Sequence, residues 1–304
     1  MKNRQLIKAV FSAAIFLVFF LFSGTPVLEA ESESFTFVFM TDVHLMPEME
    51  AVEGFEKAIK EINRINPAFV ISGGDQIDDA IEQNYERADL LFNLYTNGIK
   101  KINVPVYNVL GNHDIFGVFA GDGVKKDHPL LGKKMFTSRL NKKYYSFDLK
   151  GWKFIIIDSI KLKKDNSYIG EIDQEQINWL KELLKTTDKK TPLVIATHVP
   201  FFTIMPQLDK RFNYKKFTIN NSLDVLELFK DHNLKFVLQG HVHNYENIYS
   251  RGIWFISGGA VCAGWWEGPL HGMEEGFVEF TITGEDFTWK YIDYGWEVPG
   301  KKDN

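Results

Sequence analysis

The sequence predicts an α/β fold of two packed mixed β-sheets flanked by helices. Three observations predict it. From residue 35 onwards short β-rich runs alternate with amphipathic helices, the pattern of βα units. Runs such as AFVISGGD, PLVIATHVP and LKFVLQG are almost wholly apolar, as buried strands are. The C-terminal part is then strand after strand, IWFISGG, GFVEFTIT and DFTWKYID, which supplies a second sheet.

Taken in order, FTFVFMT (35–41) is the first β-rich run, and EAVEGFEKAIKEINRI (50–65) sets Val52, Phe55, Ile59 and Ile62 at helical spacing. AFVISGGD (68–75) is the next strand, residues 79–97 a helix, and VPVYNVLGNHD (104–114) a third strand running into a loop. Residues 115–143 are rich in Gly and Lys with little periodicity, which predicts a long surface excursion. YYSFDL and WKFIIIDS predict two neighbouring strands across a Lys-Gly turn. EIDQEQINWLKELLK (171–185) puts Ile177, Leu180 and Leu184 on one side of a helix. PLVIATHVP (192–200) is a buried strand, and NSLDVLELFKDHN is a helix with Ser222 as its N-cap. No internal repeat and no Pro/Ser linker divides the chain, so residues 31–304 predict a single domain.

The N-terminus stands apart from that pattern. Lys2, Arg4 and Lys8 precede an uncharged apolar stretch, Ala9–Phe22, and Gly24, Pro26 and Ala30 follow it. This is the layout of a secretory signal peptide over residues 1–30, and it predicts a secreted or cell-surface protein. The stretch is short for a spanning helix. Leu28-Glu29-Ala30 is an imperfect cleavage site, so an uncleaved anchor is the competing expectation, and the only one that brings a membrane into contact. Without residues 1–30 the chain has 32 Lys and Arg against 39 Asp and Glu, a net charge of −7. An acidic surface argues against general nucleic-acid binding, which needs a basic face. The one cysteine, Cys262, excludes an internal disulfide and any Cys-rich zinc site.

Five strand-like runs end in residues that bind metals: FVFMTDVH in Asp42 and His44, FVISGGD in Asp75, VYNVLGNHD in Asn112, His113 and Asp114, LVIATH in His198, and KFVLQGHVH in His241 and His243. In open α/β sheets, sites form at the carboxyl ends of strands. Each feature alone is more often a turn, since Asp and Asn favour turns, or a hydrogen-bonded core histidine. Together they are not: most of the eight histidines fall at strand ends. Imidazole, carboxylate and amide oxygen suit Zn, Mn or Fe. A bridging carboxylate can hold two such ions close enough to clamp a phosphoryl oxygen and acidify a bound water. Asp75 suits the bridge, because Gly73 and Gly74 let the backbone approach closely.

This ordered set, D-x-H, G-D, G-N-H-D, H and G-H-x-H from Asp42 to His243, resembles the calcineurin-like metallophosphoesterase superfamily. The resemblance implies an αββα-type sandwich and a phosphoesterase that cleaves mono- or diesters through a hydroxide bridging two transition-metal ions, Mn, Fe or Zn. It implies that Asp42, His44 and His243 hold one ion, that Asn112, His198 and His241 hold the other, and that Asp75 bridges them. It makes His113 the general acid and Asp78 the carboxylate that orients it. Asp114 matches the acidic residue that closes the third motif, with loop hydrogen bonding as its alternative role.

Departures narrow the subfamily. Purple acid phosphatases carry a tyrosine three residues after the bridging aspartate, where Asp78 stands here; protein Ser/Thr phosphatases follow it with Arg-Gly, where Asp79-Ala80 stand here. YYSFDLKGWKFIIIDS is similar to the strand pair of cyclic-nucleotide-phosphodiesterase-like members and of purple acid phosphatases. Trp265 and Trp266, in a Gly-rich loop after the last motif, predict either a buried aromatic plug or a platform for a base, sugar or lipid. His128 and His271 lie in loops and could reach a substrate phosphate. The expected partner is a small phosphate ester and the expected state a monomer. A surface-binding module without turnover and an extracellular nuclease or nucleotidase are the alternatives.

Overall fold

The computed structural model describes residues 34–165 and 167–298. The predicted leader, residues 1–30, lies outside the described residues. The chain runs β1 (Ser34–Met40), α1 (Ala51–Ile65), β2 (Phe69–Ser72), α2 (Tyr85–Ile99), β3 (Val106–Asn108), α3 (Lys134–Arg139), β4 (Tyr145–Leu149) and β5 (Trp152–Ile156). It continues with β6 (Ile160–Leu162), β7 (Tyr168–Gly170), α4 (Gln174–Thr186), β8 (Pro192–Ala196), α5 (Met205–Leu208), α6 (Tyr214–Phe217) and α7 (Ser222–Glu227). It ends with β9 (Asn233–Gln239), β10 (Tyr245–Ser250), β11 (Ile253–Gly258), β12 (Phe277–Thr283) and β13 (Asp286–Ile292).

Two mixed sheets form, ordered β13-β12-β1-β2-β3 and β10-β11-β9-β8-β5-β4, with a small β6-β7 hairpin beside them. β1, β2 and β3 are parallel, as are β5, β8, β9 and β11. All these strands therefore deliver their carboxyl ends to one edge of their sheet.

Alternation along the strands builds the sandwich. In β1, Phe35, Phe37 and Phe39 belong to the cluster between the sheets, while Val38 and Met40 belong to the helix-facing cluster. β5 sends Trp152, Phe154 and Ile156 inward, and β12 sends Val278, Phe280 and Ile282. Phe37 is the hub: its ring stacks on Phe280 at 4.7 Å and on Phe69 at 5.0 Å, and meets Phe154 edge-on at 5.4 Å. A bulge where β8 meets β9 shifts the pairing between Leu193 and Val194. Leu234 then faces the helices and Phe236 the inter-sheet core. The β4–β5 hairpin closes through Lys150 and Gly151, both left-handed (φ 46° and 80°), as a two-residue type I′ turn requires.

Three elements differ from the sequence expectation. α2 begins at Tyr85, not at residue 79, because Asn84 accepts the Arg87 amide as its N-cap, while the Asp79 carboxylate accepts the amides of Ile81 and Glu82 and forms a separate turn. Ser222 is inside α7 rather than capping it; Asn221 holds the cap position and spends its side chain on the backbone of Ile172. Residues 115–143 are not purely a surface excursion. Ile115, Phe116, Met135 and Phe136 are fully buried there, and Lys133 pairs with the buried Asp158 at 2.5 Å.

Phe37→Ala should destabilise the protein by about 3–5 kcal/mol, read by denaturant unfolding. Tyr249→Ala, on the exposed side of β10, should change stability by less than about 0.5 kcal/mol.

Candidate active site

The loops that leave β1, β2, β3, β8 and β9 converge beyond the strand ends. The backbone makes the sharp turns by an unusual means: Asp42, His44, Asp75, His241 and His243 all have φ between 43° and 73°. This left-handed region costs an L-residue roughly 1–2 kcal/mol, and such strain gathers at functional sites. Backbone hydrogen bonds hold it in place. The amides of Asp42 and His44 donate to the carbonyls of Gly74 and Asp75, and the His241 amide donates to both Asp42 oxygens at 3.0 Å. Gly240 is needed for close approach: a Cβ there would stand 2.2 Å from Thr41 Oγ1 and 2.7 Å from Asp42 Oδ2. Asp114 is a loop organiser, its buried carboxylate accepting the amides of Asp75, Gln76 and Gly111 at 2.8–3.1 Å.

The predicted residues come together as two overlapping groups. His44 Nε2 lies 3.0 Å from His243 Nε2, 4.0 Å from Asp42 Oδ1 and 3.7 Å from Asp75 Oδ2. His198 Nε2 lies 3.0 Å from Asp75 Oδ2 and 3.2 Å from Asn112 Oδ1. Asp75 therefore stands between the groups, its other oxygen taking the His113 amide at 2.8 Å. Three imidazoles tie Nδ1 to backbone carbonyls: His44 to Asp78 (3.3 Å), His198 to Gly73 (3.0 Å) and His243 to Ala263 (2.8 Å). In a neutral ring that bond puts the proton on Nδ1 and leaves the Nε2 lone pair facing inward, the tautomer that metal-ligating histidines adopt. His241 Nε2 is buried without a hydrogen-bond partner among the described residues.

Charge completes the picture. Burial, then the neighbouring His113, hold His44 well below the ordinary imidazole range; burial, then His198, do the same for His241. Both rings are thus neutral bases. Burial also lowers His198, but the Asp75 carboxylate outweighs it and raises this ring to about 9. Inward-facing acceptors around two buried carboxylates call for positive charge, and protons and metal ions compete to supply it.

His113 stands at the mouth with 28% of its side chain exposed, edge-on to His44 at 4.7 Å. The carboxylate beside its Nδ1 is that of Asp79, at 3.7 Å. Burial raises the Asp78 carboxyl and His113 acts to lower it, so both aspartates lie near the ring, and the Asp78 backbone carbonyl meets His44 Nδ1. The two aspartates are adjacent in sequence, and the turn closed by Asp79 on the amides of Ile81 and Glu82 brings its carboxylate to the Nδ1 side of the ring.

A cavity of about 260 Å³ opens over the group, walled by Tyr168, Phe212, Phe217 and Trp265, with Arg211 and His271 also lining it. Phe217 stacks on His241 at 4.7 Å. Tyr168 and Phe217 carry no sequence signal, because β7 and α6 are too short for their periodicity to be read. The tryptophan pair splits: Trp266 is fully buried, while Trp265 is 41% exposed and stacks on His243. His128 is part of neither group; it packs against Tyr85 and Phe116.

Imidazoles and buried carboxylates gathered at the carboxyl edges of paired parallel strands define a metal-dependent hydrolase site. A model of the calcineurin-like phosphoesterase family matches residues 35–245, and the chain belongs to that family. It is a metal-dependent phosphoric ester hydrolase. It is 24% identical over 249 residues to the 3′,5′-cyclic adenosine monophosphate phosphodiesterase CpdA of Haemophilus influenzae, which spans 79% of this chain and 81% of the relative. Among solved structures, a dimetal phosphatase from Danio rerio superposes with a TM-score of 0.62 at 15% identity, over 86% of this chain and 96% of that one. GAP50, the anchor in the inner membrane complex of Plasmodium, superposes with a TM-score of 0.56 at 16% identity, over 88% and 87%. At these identities the two structures share the fold.

Gly111→Ala should remove the site without unfolding the sandwich. Its Cβ would lie 2.1 Å from the Asp75 amide nitrogen, and backbone there cannot give way without moving Asp75. Bound metal after dialysis should fall well below the wild-type content while the unfolding transition stays cooperative.

Proposed function

We propose that residues 31–304 form one exported phosphoesterase domain that hydrolyses phosphodiesters, with a cyclic nucleotide as the favoured substrate. In this proposal Asp42, His44, His243 and Asp75 hold one metal ion, and Asp75, Asn112, His198 and His241 hold a second. The observation that carries it is the pair of Nε2 atoms of His44 and His243, 3.0 Å apart. The Nδ1 tethers leave a lone pair on each, and the two repel unless a cation sits against both. The orphaned His241 Nε2 and the two oxygens beside His198 Nε2, from Asp75 and Asn112, make the same demand for a second ion. The name of the Haemophilus relative supports a cyclic nucleotide. The basic residues and apolar stretch of residues 1–30 support export.

When bound, ions of the Zn, Mn or Fe type would clamp phosphoryl oxygens and lower the pKa of a water. The chain's own residues do the rest. His113, free at the mouth, gives its proton to the leaving alkoxide as general acid. The Asp75 and Asp79 carboxylates raise its pKa against the lowering effect of burial, which keeps a proton on the ring. Asp79, pinned by the amides of Ile81 and Glu82, stands 3.7 Å from Nδ1, beyond hydrogen-bond length but close enough to favour the charged ring. Phe217 covers the His241 ring and keeps water from it.

Asn112→Ala and His241→Ala should each lose metal and abolish turnover of 3′,5′-cyclic AMP; full activity in both would overturn the ligand assignment. His113→Ala should keep its metal and lose roughly 10²–10⁴-fold in kcat, most with poor leaving groups. Asp79→Asn should lose on the order of tenfold and Asp78→Asn less, since the Asp79 carboxylate is the one 3.7 Å from the ring's Nδ1. Equal losses in the two aspartate variants would remove Asp79 from its role.

A further inference from the structure

The cavity above the ligand cluster has an aromatic face over each metal-facing edge, and one of them is held there under backbone strain. Trp265 and Trp266 are adjacent yet point opposite ways. Trp266 is fully buried, and its indole N–H is shared between the carbonyls of Val43 and His44 at 3.1 Å each. Its ring presses on Gly54 of α1, where even a Cβ would come within 2.3 Å of it. Ala263, Trp265 and Trp266 all have left-handed φ, at 48°, 51° and 68°. L-residues visit this region singly, so three in a run of four residues persist only because their surroundings fix them.

With Trp266 locked below, Trp265 faces the cavity. Its ring lies 4.4 Å from that of His243, at 30°, and 5.6 Å from that of His44, yet 41% of the residue stays exposed. Across the cavity Phe217 covers His241, and Phe212 packs edge-on to Phe217 at 4.6 Å. The one guanidinium in the lining, Arg211, is already bound to Asp209 at 2.6 Å. Away from the ligand cluster the cavity thus offers mainly flat apolar faces, with the Tyr168 hydroxyl and the His271 imidazole as the polar groups beside them.

We infer that Trp265 is a specificity-determining platform on which the planar group of the ester stacks, so that the site selects esters carrying a nucleobase or aryl ring over those carrying only alkyl groups. This selectivity rests on the phosphoesterase chemistry proposed for the ligand cluster. Stacking tolerates any base, because every base has a π-face. The preference is therefore for a ring over no ring, with little distinction among purines and pyrimidines.

Two ligands that differ only in the ring test this on the metal-loaded full chain: 5′-AMP and ribose 5-phosphate, by equilibrium dialysis. The wild type should bind 5′-AMP on the order of tenfold more tightly. Trp265→Ala should close that gap, and Trp265→Phe should keep most of it. In turnover, Trp265→Ala should raise KM for 3′,5′-cyclic AMP by the same factor at unchanged kcat and metal content, and leave glycerophosphoethanolamine hydrolysis unaltered. Equal loss of both ligands, or loss of metal in the variant, would overturn the platform and leave Trp265 as packing for His243. A Trp265-dependent binding gap in a protein that hydrolyses neither ester would support the platform and overturn the proposed substrates instead.

Discussion

Repulsion among lone pairs is the constraint on which this structure turns. Imidazole nitrogens, carboxylate oxygens and an amide oxygen from five loops face one another at 3–4 Å. No chain would hold them so for the sake of its own stability, and a soft scaffold would let them part. The aromatic layer between the sheets is the rigid response. Phe37 and its neighbours fix the strand spacing, the strands fix where each loop starts, and Nδ1–carbonyl bonds fix the direction of each ring.

Backbone strain belongs to the same balance. Five of the seven proposed ligands sit in the left-handed region, and Asp42 and Asp75 are buried as well. The helix-facing core, the glycines at close approaches and the three amides on Asp114 hold what the local conformation resists. Ligand residues and scaffold are therefore one mechanical unit. Binding of cations to such a unit stabilises the folded chain, because an unfolded chain has no comparable site.

Much of this was legible in the sequence, for a physical reason. A strand buried on both faces is a run of apolar residues, so the polar residue that ends it stands out, and parallel strands send those ends to one edge. The order and identity of Asp42, His44, Asp75, Asn112, His198, His241 and His243 could be read that way. What could not be read depends on turns and on short elements. Asp78 and Asp79 have the same chemistry and adjacent places; the amides of Ile81 and Glu82 hold the Asp79 carboxylate on the Nδ1 side of His113, while the Asp78 carbonyl meets His44. Trp265 and Trp266 are equally indistinguishable until the left-handed backbone sends one down and one up. The late start of α2 has the same origin, since a turn closed by a side chain can displace helical pattern that periodicity alone would extend.

His241 and His243 are separated by one residue, the buried Val242, and each faces a different group around the shared Asp75. The peptide that positions one imidazole positions the other, and a carboxylate pulled toward one group leaves or meets the second. In the proposed assignment, a change at Val242 would therefore disturb both ligand groups at once rather than either alone.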